Sequence, residues 1–247
     1  MKLEGNKIII TGATRGIGLA LLDRFYSLNN QIIAVARNEG ALIDLAKKYE
    51  NIVTIQCDLS DEKSVSQLIE KITSNHKDAN TLINNAGIQV NFYDFKFGEE
   101  SEYLTKIKDE IQINYTAPVE LAYRLIPVLI KNKNASVINV SSTLAFVPKK
   151  SAPVYCGTKA GIHLFSKALR YQYENSNLKI FEIIPPLVDT DMTKGRGKDK
   201  VTPIQLVDQF IKAYSKDKFE VNIGKARLLR FIQRVLPRIA DNTLKHN

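Results

Sequence analysis

Six short runs of apolar and β-branched residues, separated by longer amphipathic stretches, restrict this chain to few architectures. The runs lie at 7–11, 31–36, 52–57, 80–84, 135–141 and 179–184. Between them, 16–28, 38–49, 60–76 and 154–175 carry apolar residues at helical spacing, with Ser60 or Asp61 placed to cap the third of these stretches. A longer helical stretch runs from about 99 to 131. The apolar runs are continuous rather than alternating, as expected for parallel strands covered on both faces. The expected fold is therefore a doubly wound α/β sheet in a single domain over 1–247, with ligands at the carboxyl ends of the strands. No linker, repeat or low-complexity segment divides the 247 residues, and 44% apolar content suits one core. The segment from about 190 to 247 reads as a substrate lid, a last strand at 219–223 and a basic helical tail.

Residues suited to binding and catalysis fall at the predicted strand ends. Thr11-Gly12-Ala13-Thr14-Arg15-Gly16-Ile17-Gly18 follows the first strand and opens a helix. Glycines allow a tight turn and a close approach to a pyrophosphate, which the helix N-terminus then stabilises. After the second strand, where an acid would take the ribose hydroxyls of NAD, the chain has Arg37-Asn38. Arg37, with Arg15 beside it, suits a 2′-phosphate unless both are ordinary surface arginines. Asp58-Leu59 ends the third strand as an adenine contact or a capping turn. Asn84-Asn85-Ala86-Gly87 ends the fourth as a ribose site or a plain turn, and Asn114 is either functional or an exposed helix position.

Ser142 closes the fifth strand, and Tyr155 lies four residues before Lys159, on one face of a helix. A free phenol titrates near pH ~10. One ammonium at about 4 Å stabilises a phenolate by on the order of 4 kcal/mol, enough to bring it toward neutrality for acid/base work.

Other classes lack their signatures. There is no Gly-x-Ser-x-Gly elbow and no phosphate-loop motif. His76, His163 and His246 are scattered, so no metal site is expected. Cys57 and Cys156 show no pairing pattern, the charged first residues show no signal peptide, and no apolar run is long enough to span a bilayer, which together suggest the cytoplasm.

Taken together, Thr11-Gly12-x-x-x-Gly16-x-Gly18, Asn84-Asn85-Ala86-Gly87, Asn114, Ser142, Tyr155 and Lys159 resemble the short-chain dehydrogenase/reductases of about this length, over residues ~5 to ~192. The resemblance implies a Rossmann domain, a nicotinamide cofactor and a catalytic Asn-Ser-Tyr-Lys set. Tyr155 would be the general acid/base, and Ser142 would bind the substrate oxygen. Lys159 would lower the Tyr155 pKa and hold ribose hydroxyls, while Asn114 would hold a water linking Lys159 to solvent. Pro185, Val188 and Thr190 would complete the cofactor contacts, and the two arginines would favour NADP(H) over NAD(H). The implied function is hydride transfer to or from a small carbonyl or alcohol substrate, by a homodimer or higher oligomer. The alternative is a non-catalytic cofactor-sensing protein of the same fold. A narrower resemblance, to the DltE-type bacterial reductases, rests on Pro185-Pro186-x-Val188-Asp189-Thr190 with Gly195-Arg196-Gly197-Lys198 after it.

The chain departs from the family at Pro186, where glycine is usual, and at Thr143 after Ser142. It also departs after the last strand, where a basic tail replaces the usual ending. From Lys194 onward there are 13 Lys and Arg against 5 Asp and Glu. Arg227, Arg230, Arg234, Arg238 and Lys245 form one helical stripe, with Leu228, Ile232, Val235, Leu236 and Ile239 opposite and Pro237 dividing the run. The adopted reading packs this apolar face on the domain or a second subunit near the substrate cleft, leaving the stripe solvated. An anionic membrane surface is the competing partner, and nucleic acid is not expected. Phe92, Tyr93, Phe95 and Phe97 either line the substrate entrance or pack internally.

Overall fold

The structure is a computed structural model that describes residues 1–91 and 101–245, with the side chains of Ser101 and Glu102 left aside. Seven strands form one parallel sheet: β1 (Lys7–Thr11), β2 (Gln31–Ala36), β3 (Val53–Gln56), β4 (Thr81–Asn84), β5 (Ser136–Val140), β6 (Lys179–Ile184) and β7 (Glu220–Asn222). Their order is β3-β2-β1-β4-β5-β6-β7, so the strand sequence reverses between β1 and β4. A crevice opens at such a reversal, beyond the strands' carboxyl ends.

Successive residues of a strand point to opposite faces. In β1, Ile8 and Ile10 enter one core cluster and Ile9 the other, all three buried. The first face is covered by α1 (Gly16–Tyr26), α2 (Glu39–Lys48) and α7 (Pro203–Tyr214), through Phe25, Leu45 and Phe210. The second is covered chiefly by α3 (Glu62–Asn75) and α5 (Ala117–Leu129), with Leu169 of α6 (Pro153–Gln172). Burial on both sides accounts for the unbroken apolar runs.

The expected strands agree with the observed ones to within about two residues at each end, the usual scatter of such boundaries. Two helical features differ from expectation. The long stretch from about 99 to 131 is α4 (Ser101–Ile111), a π-helical turn at Gln112–Thr116, and α5. Helix α7 was not expected, although Thr202-Pro203-Ile204-Gln205 announces it. The Thr202 hydroxyl accepts from Gln205 N at 3.2 Å, the Gln205 side chain accepts from Thr202 N at 3.1 Å, and proline takes the first helical position, where no N–H is needed.

The tail folds as α8 (Ala226–Val235) and α9 (Pro237–Lys245), divided at Pro237 as expected. Its orientation is not the expected one. Leu228, Val235, Leu236 and Ile239 are exposed, so within the chain the apolar face is not buried on the domain. Arg230, placed on the solvated stripe, instead turns inward: it donates to Glu220 at 3.1 Å and its guanidinium lies 3.9 Å from the Phe146 ring centre. Stacking on an aromatic face and pairing with a half-buried carboxylate outweigh hydration for this one arginine.

Candidate active site

Thr11, the last residue of β1, starts the site. Its hydroxyl accepts from Asn85 N at 3.0 Å and Ala86 N at 3.1 Å, and the Asn85 amide donates to Thr11 O at 2.9 Å and Gly12 O at 3.2 Å. The ends of β1 and β4 are thereby tied across the sheet reversal. Gly12 has φ +66°, and a Cβ on it would stand 2.9 Å from the Ala86 Cα, so only glycine fits. The helix that follows has Arg15 at its N-cap position with no side-chain cap and no acid in its first turn. Its first N–H groups remain available to an anion.

A cavity of about 620 Å³ lies against this loop. Of the residues expected to bind a cofactor, Gly12, Thr14, Arg15, Gly16, Ile17, Arg37, Asn38, Asp58, Leu59, Asn85, Ala86, Gly87, Tyr155, Lys159, Pro185 and Thr190 line it. Gly18 and Val188 do not. A Cβ on Gly18 would fall 2.1 Å from Gly12 O, so this glycine lets α1 pack beneath the loop. Val188 is buried in the core and bridges to Val201. Thr190 packs against the loop: a Cβ on Gly16 would meet its methyl at 3.2 Å. Between Pro185 and Thr190 no residue has positive φ, so the chain turns here without the conformation a glycine would provide. The uncapped helix start, the glycine cradle and the cavity's extent fit a dinucleotide.

Both arginines sit exposed at the rim, each facing an acid at 3.6 Å: Arg15 with Asp191 and Arg37 with Asp58. Burial pushes the Asp58 carboxyl up, but hydrogen bonds from Ser60 and the Arg37 charge outweigh it and hold the group below the usual range. The Ser60 contacts also make Asp58 the turn-forming residue that the sequence left open.

The four expected catalytic residues converge at the cavity, Tyr155 and Lys159 in its wall and Ser142 and Asn114 beside them. Ser142 follows β5; its Oγ accepts from Leu144 N at 3.1 Å, and its hydroxyl is near enough to the Tyr155 phenol to lower its pKa. Lys159 Nζ lies 5.6 Å from the Tyr155 ring centre and donates to Val140 O at 2.8 Å. Asn114 sits in the π-helical turn, its Oδ1 accepting from Ile88 N at 2.9 Å and its Nδ2 donating to Ile88 O at 2.8 Å. A Cβ on Gly87 would lie 3.2 Å from Asn114 Oδ1 and 3.6 Å from Lys159 Nζ, which places all three together. Asn114 is therefore buried, not an exposed helix position.

The electrostatics differ from the simple pairing argument. Burial dominates both groups: it pushes the Tyr155 phenol well above its ordinary value, offset in part by Ser142, and pushes Lys159 down to about 8. In the chain alone, Lys159 does not bring Tyr155 toward neutrality, because desolvation opposes the charged form of each. Tyr155 is thus held as a protonated donor.

Sequence reasoning missed Glu110. Fully buried one turn before Asn114, it accepts from Val90 N at 3.0 Å through Oε1, while Oε2 has no hydrogen-bond partner among the described residues. Burial raises its pKa and the Lys159 charge lowers it. A carboxylate at i−4 from a catalytic asparagine on one helix face was the available signal. Apolar Ile88 and Ile113 also line the cavity and carried none. Cys156 accepts from Lys149 N at 3.4 Å, and burial raises its thiol pKa, as it does for Cys57, so both are inert buried thiols. His163 is packed, with Nδ1 2.8 Å from Glu182. The aromatic cluster Phe92, Tyr93, Phe95 and Phe97 lies outside the described residues, as does His246.

Comparison with known proteins agrees with this geometry. Residues 6–201 match the model of the short chain dehydrogenase family. The uncharacterized oxidoreductase DltE of Bacillus subtilis is 37% identical over 93% of this chain and 92% of its own. A short chain dehydrogenase from Burkholderia cenocepacia in complex with NADP superposes with a TM-score of 0.85 at 23% identity, covering 99% of both chains. One from Burkholderia phymatum in complex with NAD gives 0.82 at 17%, covering 100% of this chain and 97% of that one. With the sheet order, the glycine cradle and the Ser142–Tyr155–Lys159 cluster already in place, the match over most of the chain shows that it belongs to the short-chain dehydrogenase family, and is an NAD(P)-dependent oxidoreductase.

Proposed function

We propose that the chain uses NADP(H) to interconvert a carbonyl compound and its alcohol, with Tyr155 as the proton donor and acceptor. The observation that carries this reading is the convergence of Ser142, Tyr155, Lys159 and Asn114 at a cavity that the glycine loop and two arginines also line. The nicotinamide, when bound, supplies or takes the hydride. Ser142, beside the phenol, orients the substrate oxygen toward Tyr155. Tyr155, kept protonated by burial, gives its proton to that oxygen in the reductive direction. Lys159 holds ribose hydroxyls and, with Asn114 close by, connects the site to a proton supply through water.

The preference for NADP(H) rests on Arg37 and Arg15, both exposed at the rim, whose ion pairs at 3.6 Å are worth little in water and can give way to a phosphate. A charge-assisted hydrogen bond is typically worth ~1.5–3 kcal/mol. Arg37→Asp is therefore expected to weaken NADPH at least about tenfold and to spare NADH, measured by fluorescence titration. Wild-type protein that binds NADH more tightly than NADPH contradicts the preference. A panel of ketones and aldehydes with NADPH tests the reaction, and uniform inactivity despite tight cofactor binding favours the non-catalytic alternative. Exposed Tyr123, Leu164 and Tyr171 on α5 and α6 support self-association through helices other than the tail.

A further inference from the structure

We propose that α8 and α9 form a docking surface for an anionic lipid bilayer. A surface helix ordinarily turns its apolar stripe inward. Here the stripe is reversed. On α8, Leu228, Phe231 and Val235 fall within about 60° of one another at 100° per residue, opposite Ala226 and Arg230. Ala226 is buried and Arg230 is held by Glu220 and Phe146, while Leu228, Phe231 and Val235 are 62%, 64% and 59% exposed. Leu236 and Ile239 continue the ridge at 51% and 55%, and the attachment of α9 to the body is on another side, through buried Ala240.

Charge decides what covers this ridge. Arg227, Arg234, Arg238 and Lys245 are exposed around it with Asp241 as the one acid between 225 and 245, while Lys225 pairs with Asp199 at 3.3 Å and Arg230 is turned inward to Glu220. A second copy related by a two-fold axis would bring the same surface, with the same excess of positive charge, against itself. An anionic headgroup layer supplies negative charge to the flanking cations and an acyl boundary to the ridge at once. Among the described residues no helix is long and apolar enough to cross a membrane, so α8 and α9 would lie along the surface.

The test is cosedimentation of the full chain with vesicles of phosphatidylglycerol and phosphatidylcholine, or of phosphatidylcholine alone, at about 0.15 M ionic strength. The expected result is binding to the anionic vesicles and none to the neutral ones. The double substitution Phe231→Asp with Val235→Asp changes exposed positions, so thermal unfolding and cofactor binding should be unaltered while vesicle binding falls more than about tenfold. Absence of binding to anionic vesicles, or binding that the double substitution leaves intact, overturns the proposal. So does a wild-type dimer that this substitution converts to monomer in sedimentation velocity, which would assign the ridge to a second copy.

Discussion

Lys159 is a buried cation whose pKa lies near 8, lowered by burial and raised in part by the charges of Glu110 and Glu182. A cation with a depressed pKa carries its charge below that value and loses it above. If Lys159 binds cofactor as a cation, kcat/KM for NADPH, which reports the free enzyme, falls as pH rises through about 8. Glu110→Gln keeps an oxygen for Val90 N but removes a charge that raises the Lys159 pKa. The alkaline limb should therefore move to lower pH, by less than the full burial effect. An unmoved limb with full activity would show that Glu110 is only structural. Tyr155 and Lys159 were legible as a pair from their spacing, and Asn114 from its company. The opposing desolvation of the pair was not, because burial is a property of the packed fold and not of a pentapeptide. Glu110 escaped in part for the same reason: its spacing from Asn114 was in the sequence, but its burial was not.

At the scale of elements, the strands were readable because both faces of the sheet are covered and the core strands are predominantly apolar, with few buried polar positions such as Asn139 and Glu182. The π-helical turn at Gln112–Thr116 was not readable, since its residues suit an ordinary helix and the extra residue is set by the packing that turns Asn114 toward Ile88. The tail shows the limit of amphipathic patterning, which gives the direction of a helix's apolar face relative to its polar face but not which of them meets the body. Gly18 makes a prediction at this scale. Its Cβ would collide with a backbone oxygen of the glycine loop at 2.1 Å, and no flexible side chain is there to give way. Gly18→Ala should cost about 1–3 kcal/mol by overpacking. It should also weaken cofactor binding, although Gly18 does not line the cavity. Denaturant unfolding and NADPH titration of the same variant check both effects, and a stable variant with unaltered affinity would contradict the supporting role.

Across the whole molecule, the sheet reversal between β1 and β4 places the glycine loop, the Asn85 tie and the Tyr155 cluster along one crevice, although they are distant in sequence. Topology of this kind follows from the alternation of strands and helices, so the location of the site could be read before its geometry. Substrate choice could not: the aromatic cluster Phe92, Tyr93, Phe95 and Phe97 names no substrate and lies outside the described residues. The central claim is that one phenolic oxygen moves the proton. Tyr155→Phe removes that oxygen and little else, so the decisive measurement is turnover of a ketone or aldehyde accepted by the wild type, alongside NADPH affinity, in this single variant. The account predicts turnover lowered by at least about a thousandfold with affinity within about twofold of wild type. Turnover retained at the wild-type rate would contradict it.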